Sequence, residues 1–174
     1  MRSLKYILLA CVTILTACTD TPQGVEPVSP FQLERYLGQW HEIARLDHRF
    51  ERGLTDVTAT YSMRDDGGVK VINRGFNAED NEWSQAEGKA YFVGDTNTGA
   101  LKVSFFGPFY GSYNVARLTD DYSMALVVGP SLEYAWLLAR DKTPTKAQCD
   151  SFAQTATELG IKADAWIWLQ TCSS

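Results

Sequence analysis

From residue 40 to residue 140 the chain is a run of short segments, each cut off by a turn signal before a helix of useful length could form. Residues 40–46 alternate apolar and polar. Residues 55–63 (TDVTATYSM) are β-branched and alternating, and RDDGG at 64–68 is a tight-turn signal ahead of a partner strand at 69–77. Segments at 87–93, 100–106, 112–118, 123–128 and 134–140 continue the series. Their separators are DTNTG (95–99), Gly107-Pro108, Asp120-Asp121 and Gly129-Pro130. Eight antiparallel strands joined by hairpin-length loops predict an all-β domain, either an up-and-down barrel or a sandwich. One helix stands apart near residues 145–159. Thr143 or Thr145 can cap it, Pro144 suits its first turn, Ala147, Phe152, Ala156 and Leu159 approximate one apolar face, and Gly160 ends it. A short apolar segment, 165–169, follows.

The N-terminus carries different information. Arg2 and Lys5 precede an apolar run from Tyr6 to Leu15, of signal-peptide length and too short for a comfortable membrane span. It ends in Leu15-Thr16-Ala17-Cys18, which resembles the lipobox at which bacterial lipoproteins are cleaved and acylated on cysteine. Residues 1–17 are therefore expected to be a lipoprotein signal peptide and Cys18 the lipidated first residue; an ordinary signal with an incidental cysteine is the plainer alternative. Thr19 is not the aspartate that commonly retains such proteins in the inner membrane, so the bacterial outer membrane is favoured. Residues 19–30 (TDTPQGVEPVSP) hold three prolines and few large apolar groups. They are expected to act, with Cys18, as a flexible tether (18–30) reaching about 35 Å at roughly 3.1 Å per residue, ahead of a domain at 31–174. Cys11 would leave with the signal, so Cys149 and Cys172 remain, an even pair in an oxidising compartment that either forms a disulfide or stays as two thiols.

Charge limits the partners. The whole chain carries −5, and loss of Arg2 and Lys5 takes the mature chain to −7 (−5 − 2). No basic footprint for nucleic acid exists, and attachment to an anionic membrane surface must come from the lipid rather than from charge. Five Trp, eight Tyr and eight Phe serve either a large core or an aromatic-lined cavity.

Gly38-Gln39-Trp40 before the first strand, Thr119-Asp120-Asp121-Tyr122 between later strands and Arg140 at the end of the eighth resemble the three signature regions of the lipocalin family. DHRFERGL (47–54), GKAYFVG (88–94) and LKVSFFGPFYGSYNV (101–115) are especially close to its bacterial branch, and the resemblance runs from about residue 31 to 169. His41, where the family usually has tyrosine, and the extra Asp121 depart from it. The resemblance implies an eight-stranded antiparallel up-and-down barrel, the lipocalin calyx, with the helix packed outside. It implies that Gly38, Trp40 and Arg140 close the barrel floor, the guanidinium lying over the indole.

Strand parity then maps the interior. If Trp40 and Arg140 face in, so do Glu42, Ala44, Leu46, Tyr134, Trp136 and Leu138. The resemblance to a known lipocalin pocket places Asn73 inward, with Val69, Val71 and Asn77 on the same face, and similarly marks Tyr61 with Val57 and Ala59. Ala90 and Phe92, Leu101, Val103 and Phe105, and Tyr113 are expected as further inward rows, unless a bulge flips a row. The expected ligand contacts are Ala44, Ala59, Tyr61, Asn73, Phe105, Tyr113, Tyr134 and Trp136, with Gly75 as a further small residue in the wall; simple core packing is the alternative. Phe50 can shield the mouth. His48, Arg49 and Arg52 sit where an anionic head group would emerge, unless Asp47, Glu51 and the arginines merely pair with one another. Phe106, Pro108, Phe109 and Tyr110 can meet a membrane or a second subunit, or prop the first loop.

The expected function is binding of fatty acids or lysophospholipids in a lipid-anchored envelope protein, without cofactor or metal and possible as a homodimer. An assembly protein with a filled barrel is the alternative. Catalysis is not expected, because no cysteine lies in a predicted barrel strand and the two histidines, His41 and His48, form no triad or metal cluster.

Overall fold

The computed structural model describes residues 19–173; the expected signal peptide at 1–17 and the expected acylation site Cys18 lie outside the described residues. A four-residue helix, α1 (Leu33–Tyr36), leads into eight strands: β1 (Gly38–Leu46), β2 (Leu54–Met63), β3 (Val69–Asn77), β4 (Glu82–Phe92), β5 (Ala100–Ser104), β6 (Gly111–Leu118), β7 (Met124–Val128) and β8 (Ala135–Ala139). Each pairs antiparallel with the next, and β1 pairs with both β8 and β2, so the sheet closes into a barrel. Then come α2 (Lys146–Glu158), a 3₁₀ turn at Ala163–Ala165 and a ninth strand, β9 (Trp166–Trp168). Up-and-down order puts the β1–β2, β3–β4, β5–β6 and β7–β8 loops at one end, the mouth. The floor is at the other end, with α1.

The alternating pattern produces two cores, one on each side of the wall. Inside the barrel Trp40, Tyr36, Phe31, Val69, Val71, Val127 and Leu138 pack together. Outside it, the opposite residues of β7 and β8 (Met124, Leu126, Val128, Leu137) bury against Phe152 and Ala156 of α2 and Trp166 of β9. The α2 cap is Thr145: its hydroxyl accepts from Gln148 N at 3.3 Å, while Gln148 Oε1 accepts from Thr145 N at 3.0 Å. Pro144 therefore precedes the cap instead of lying in the first turn. Gly160, at φ +99°, closes the helix with Gly160 N donating to Thr157 O and Ile161 N to Ala156 O. Cys149, Phe152 and Ala156 form the buried face, with Leu159 packed partly against it, whereas Ala147 is exposed, because it lies two residues, about 200° around the helix, from Cys149. Cys149 and Cys172 are disulfide-bonded, and Ser173 pairs with the helix start (Lys146 N to Ser173 O 2.7 Å, Ser173 N to Pro144 O 2.9 Å).

Two expectations are corrected by the backbone. In β1 the register shifts between Glu42 and Ala44. A bulge inserts one residue and reverses parity, so Ala44 and Leu46 face the outer core with Ile43, and Arg45 turns inward. The Pro-rich segment is also no free tether beyond its first residues. Val25 is 6% exposed within the outer core. Val28 N donates to Val115 O at 2.9 Å, Gly99 N donates to Val28 O at 2.9 Å, and Thr21 Oγ1 donates to Asn114 Oδ1 at 2.9 Å. Three prolines made the segment look extended and solvated, but an extended strand-like chain can also satisfy its backbone on a barrel wall.

Candidate functional site

The floor is built on Trp40. Arg140 Cζ lies 4.0 Å from the centre of the Trp40 rings, and its two terminal nitrogens donate to the carbonyls of Gln39 (2.7 Å), Leu37 (2.7 Å), Arg35 (2.9 Å) and Tyr36 (3.1 Å). Gly38 permits this. It sits at φ +92°, and a Cβ there would come within 3.3 Å of Arg140 Nη1. Trp40 Nε1 donates to Tyr36 O at 2.8 Å, so no polar atom of the indole is left unpaired.

Above the floor the barrel holds a cavity lined by Phe31, Leu33 and Tyr36 from the N-terminal segment and by residues of all eight strands. Ala59, Tyr61, Asn73, Phe105, Tyr113 and Trp136 are all in its wall, with Val57, Val69, Val71, Ala90, Leu101, Val103 and Leu138. The space open to the centre of a water-sized sphere is ≈ 90 Å³. Its lining is mostly apolar. Gly75 contributes no free space: Leu54 and Val57 side chains would stand 3.1 Å from a Cβ there.

Three tyrosines carry the polarity of the lower cavity. Tyr36 and Tyr113 hydroxyls are 2.7 Å apart, and those of Tyr61 and Tyr113 2.8 Å. Burial raises all three phenols above the ordinary tyrosine range, so they stay protonated donors. Tyr36 was not recognisable beforehand, since a single helical turn leaves no periodic signal.

The mouth is partly closed by an inward-folded stretch of the β1–β2 loop. Arg45 Nη1 donates to Glu42 Oε1 at 2.8 Å, and Arg45 Nη2 to Glu51 O at 2.7 Å and to Leu54 O at 3.2 Å. Glu51 Oε2 accepts from Trp136 Nε1 at 3.1 Å and lies 3.1 Å from His48 Nε2, without the geometry of a hydrogen bond. Glu42 is raised by its burial and then by the neighbouring Glu51, against the pull of Arg45. Burial also pushes Glu51 up, but His48, Trp136 and Arg45 together hold it below the ordinary carboxylate range.

Several expected mouth roles change accordingly. His48 is buried under the loop beside Trp136 instead of emerging to meet a head group. Phe50 is 61% exposed and does not cover the cavity; Glu51 does, because Arg45 binds its backbone carbonyl, and His48 packs beside Trp136. Arg52 is held by Asp47 through two hydrogen bonds at 2.7 and 3.1 Å, and Arg49 lies over the Phe50 ring. Tyr134 belongs to the β7–β8 turn. With Arg49, Phe50 and Glu133 it lines a shallow depression outside the cavity. Ala44 lies behind the wall, for the reason given by the bulge. Phe106 and Phe109, 72% and 75% exposed, stand free at the mouth and prop nothing.

Residues 31–171 match the family model for the lipocalin-like domain. The chain belongs to the lipocalin family. Among lipocalins it is 51% identical to outer membrane lipoprotein Blc of Vibrio cholerae, over 98% of this chain and 99% of that protein. It is 50% identical to the protein of the same name from Escherichia coli K12, covering 98% of each. Apolipoprotein D of Macaca fascicularis is 33% identical over 74% of this chain and 68% of its own. Insecticyanin from the tobacco hornworm Manduca sexta shares the lipocalin fold at a TM-score of 0.69 and 24% identity, covering 88% of this chain and 89% of that one. Among the described residues of this lipocalin no helix is long and apolar enough to cross a membrane, and no cluster of potential metal ligands occurs.

Proposed function

We propose that this lipocalin holds a fatty acid or the acyl chain of a lysophospholipid in its barrel, as a lipoprotein of the bacterial outer membrane anchored through acylated Cys18, for storage or transport in membrane maintenance. The observation that carries the reading is the bore itself: a closed floor, an apolar wall and polar groups at the mouth. One 16-carbon chain gains up to roughly 12 kcal/mol at about 0.8 per buried CH₂, before ordering costs. Two relatives named outer membrane lipoprotein support the location. The cavity wall presents no cysteine, serine or histidine among its described residues, which supports binding over covalent catalysis.

The docked N-terminal segment supports an orientation as well. Thr21 is held beside Asn114 on β6, and the start of β6 carries the hairpin of Phe106 and Phe109. Cys18 precedes Thr21 by only three residues, a span of about 10 Å at most, so the proposed anchor needs no long tether. The exposed aromatic rim then meets the bilayer that supplies or receives the ligand. A second reading, an envelope interaction protein that self-associates as a homodimer through Phe106 and Phe109, draws on the same exposure.

Protein comprising residues 19–174, stripped of carried-over lipid, should show saturable one-to-one binding of palmitate and lysophospholipid by tryptophan fluorescence. Ala59→Leu should weaken it. A folded protein that binds neither lipid, and dimerises in native mass spectra, would move the assignment to the interaction reading.

A further inference from the structure

The tyrosine cluster has a proton too many. Tyr36, Tyr61 and Tyr113 carry three hydroxyl protons and make two hydrogen bonds among themselves, at 2.7 and 2.8 Å. Whichever way the bonds run, one O–H is left without a partner in the cluster. Tyr36 and Tyr61 are 2% and 7% exposed, and all three residues line the cavity. Leaving a buried donor unpaired is costly, so this end of the bore favours a ligand that brings an acceptor. A second polar atom lies higher in the same wall: Asn73 Oδ1 is buried without a hydrogen-bond partner. Asn73 pairs with Ala59, two residues towards the mouth from the Tyr61–Val71 pair. A barrel meant for plain methyl-ended chains gains nothing from polar groups at these depths.

The charge of the acceptor is also constrained. Glu42 and Glu51 are the charged residues of the cavity wall, and no lysine, arginine or histidine is among its described members. Arg45 is committed to Glu42, Glu51 and Leu54, and Arg140 to four backbone carbonyls beyond Trp40. An anion at the cluster would be buried with no cation against it. Resting on the acyl-chain reading above, we propose that the tyrosine cluster is a subsite for a neutral oxygen (hydroxyl, carbonyl or protonated carboxyl) at the inner end of an otherwise apolar ligand. The barrel is thereby selective for acyl chains oxygenated far from the head group over plain ones. The cluster relays its hydrogen bonds in one direction, and the terminal O–H donates to the ligand oxygen.

The test compares palmitate, 16-hydroxypalmitate and hexadecanedioate on protein of residues 19–174 and on its Tyr36→Phe/Tyr61→Phe/Tyr113→Phe variant. The variant keeps every ring and removes all three hydroxyls together, so no half-paired group remains to disturb the fold; circular dichroism checks that it is retained. The quantity read is the affinity for 16-hydroxypalmitate divided by that for palmitate. The variant should lower this ratio about fivefold, the worth of one buried hydrogen bond, and hexadecanedioate should bind the native protein at least about tenfold more weakly than 16-hydroxypalmitate. If the variant instead weakens palmitate itself, only at pH low enough to protonate its carboxyl, the subsite stands and its oxygen is the acid group entering first. An unchanged ratio with palmitate still bound would overturn the subsite while leaving the acyl-chain reading intact. Hexadecanedioate binding as tight as that of 16-hydroxypalmitate at about pH 8, and unchanged on lowering the pH towards the carboxyl range, would overturn the requirement for a neutral oxygen. Failure of all three to bind the native protein would overturn both.

Discussion

Removing the Cys149–Cys172 disulfide should cost stability and spare the cavity. The bridge closes a loop with a sequence separation of 23. In the chain-entropy treatment such a cross-link removes about 2.1 + 1.5R ln n, or roughly 11 cal/mol/K, from the unfolded state, which is about 3.4 kcal/mol at 25 °C. Native strain need not enter, because the tail is also pinned by Lys146 N to Ser173 O and Ser173 N to Pro144 O. β9 stays paired with β1 from Ala44 to Leu46. For roughly 150 ordered residues the unfolding entropy near Tm is about 0.3 kcal/mol/K, so Cys149→Ala/Cys172→Ala should melt about 10 °C lower. Thermal unfolding followed by circular dichroism, oxidised native protein against the variant, reads this directly. Lipid affinity at 25 °C should be unchanged, since the bridge lies in the outer core and the ligand wall on the inner face of the sheet. A fall of less than about 3 °C would refute the entropic account, and a tenfold loss of lipid affinity would refute the separation of the two cores.

Two further perturbations test the mouth and the floor. Burial, with Glu51 adding to it, raises Glu42, so the folded state keeps that proton to higher pH than the unfolded chain does. The contribution favours the fold below the unfolded carboxyl range near pH 4 and is lost as pH rises through the folded value. Glu42→Gln should therefore leave urea stability nearly unchanged at pH 4 and increase it at pH 8; a decrease at pH 8 would mean that the Glu42–Arg45 pair outweighs its desolvation. At the floor, Arg140→Lys keeps the charge but cannot span four carbonyls. Loss of two charge-assisted bonds at about 1.5 kcal/mol each predicts roughly 3 kcal/mol lower stability in urea, and a loss under about 1 kcal/mol would show that Trp40 seats itself without the guanidinium.

Where side chains alternate strictly, the sequence was enough to place them. Val69, Val71 and Asn73 line one wall, Leu101, Val103 and Phe105 another, because a period of two leaves each residue only two choices of face. Legibility fails where two readings satisfy the same pattern. Glu42-Ile43-Ala44-Arg45 can alternate in either phase, and a buried charged pair looks no different in sequence from a solvated one. Val25 and Val28 are two apolar residues among prolines; only the outer core that Val25 joins and the Gly99 and Val115 backbone groups that Val28 pairs with make them part of the fold. The β1–β2 loop misled for a related reason. Phe50 is its most apolar residue, yet the loop turns in through His48 and Glu51, since Arg45 inside the barrel attracts the carboxylate and backbone carbonyl of Glu51 more than the apolar wall attracts a ring.

The bulge in β1 joins the reversed parity of that strand and the infolded β1–β2 loop to one cause. Before it, Gly38 to His41 pair with β2 and close the barrel; after it, β2 has diverged and β9 takes the vacated edge at Ala44, Arg45 and Leu46. The same extra residue turns Arg45 into the barrel, where it neutralises Glu42 and binds the carbonyls of Glu51 and Leu54. Without that inward cation, Glu42 would be an unpaired buried acid and the loop would have no reason to fold over the mouth. The backbone irregularity that hides the site from a reading of strand parity is thus the device that assembles it, by giving one strand a floor-closing half and a mouth-closing half.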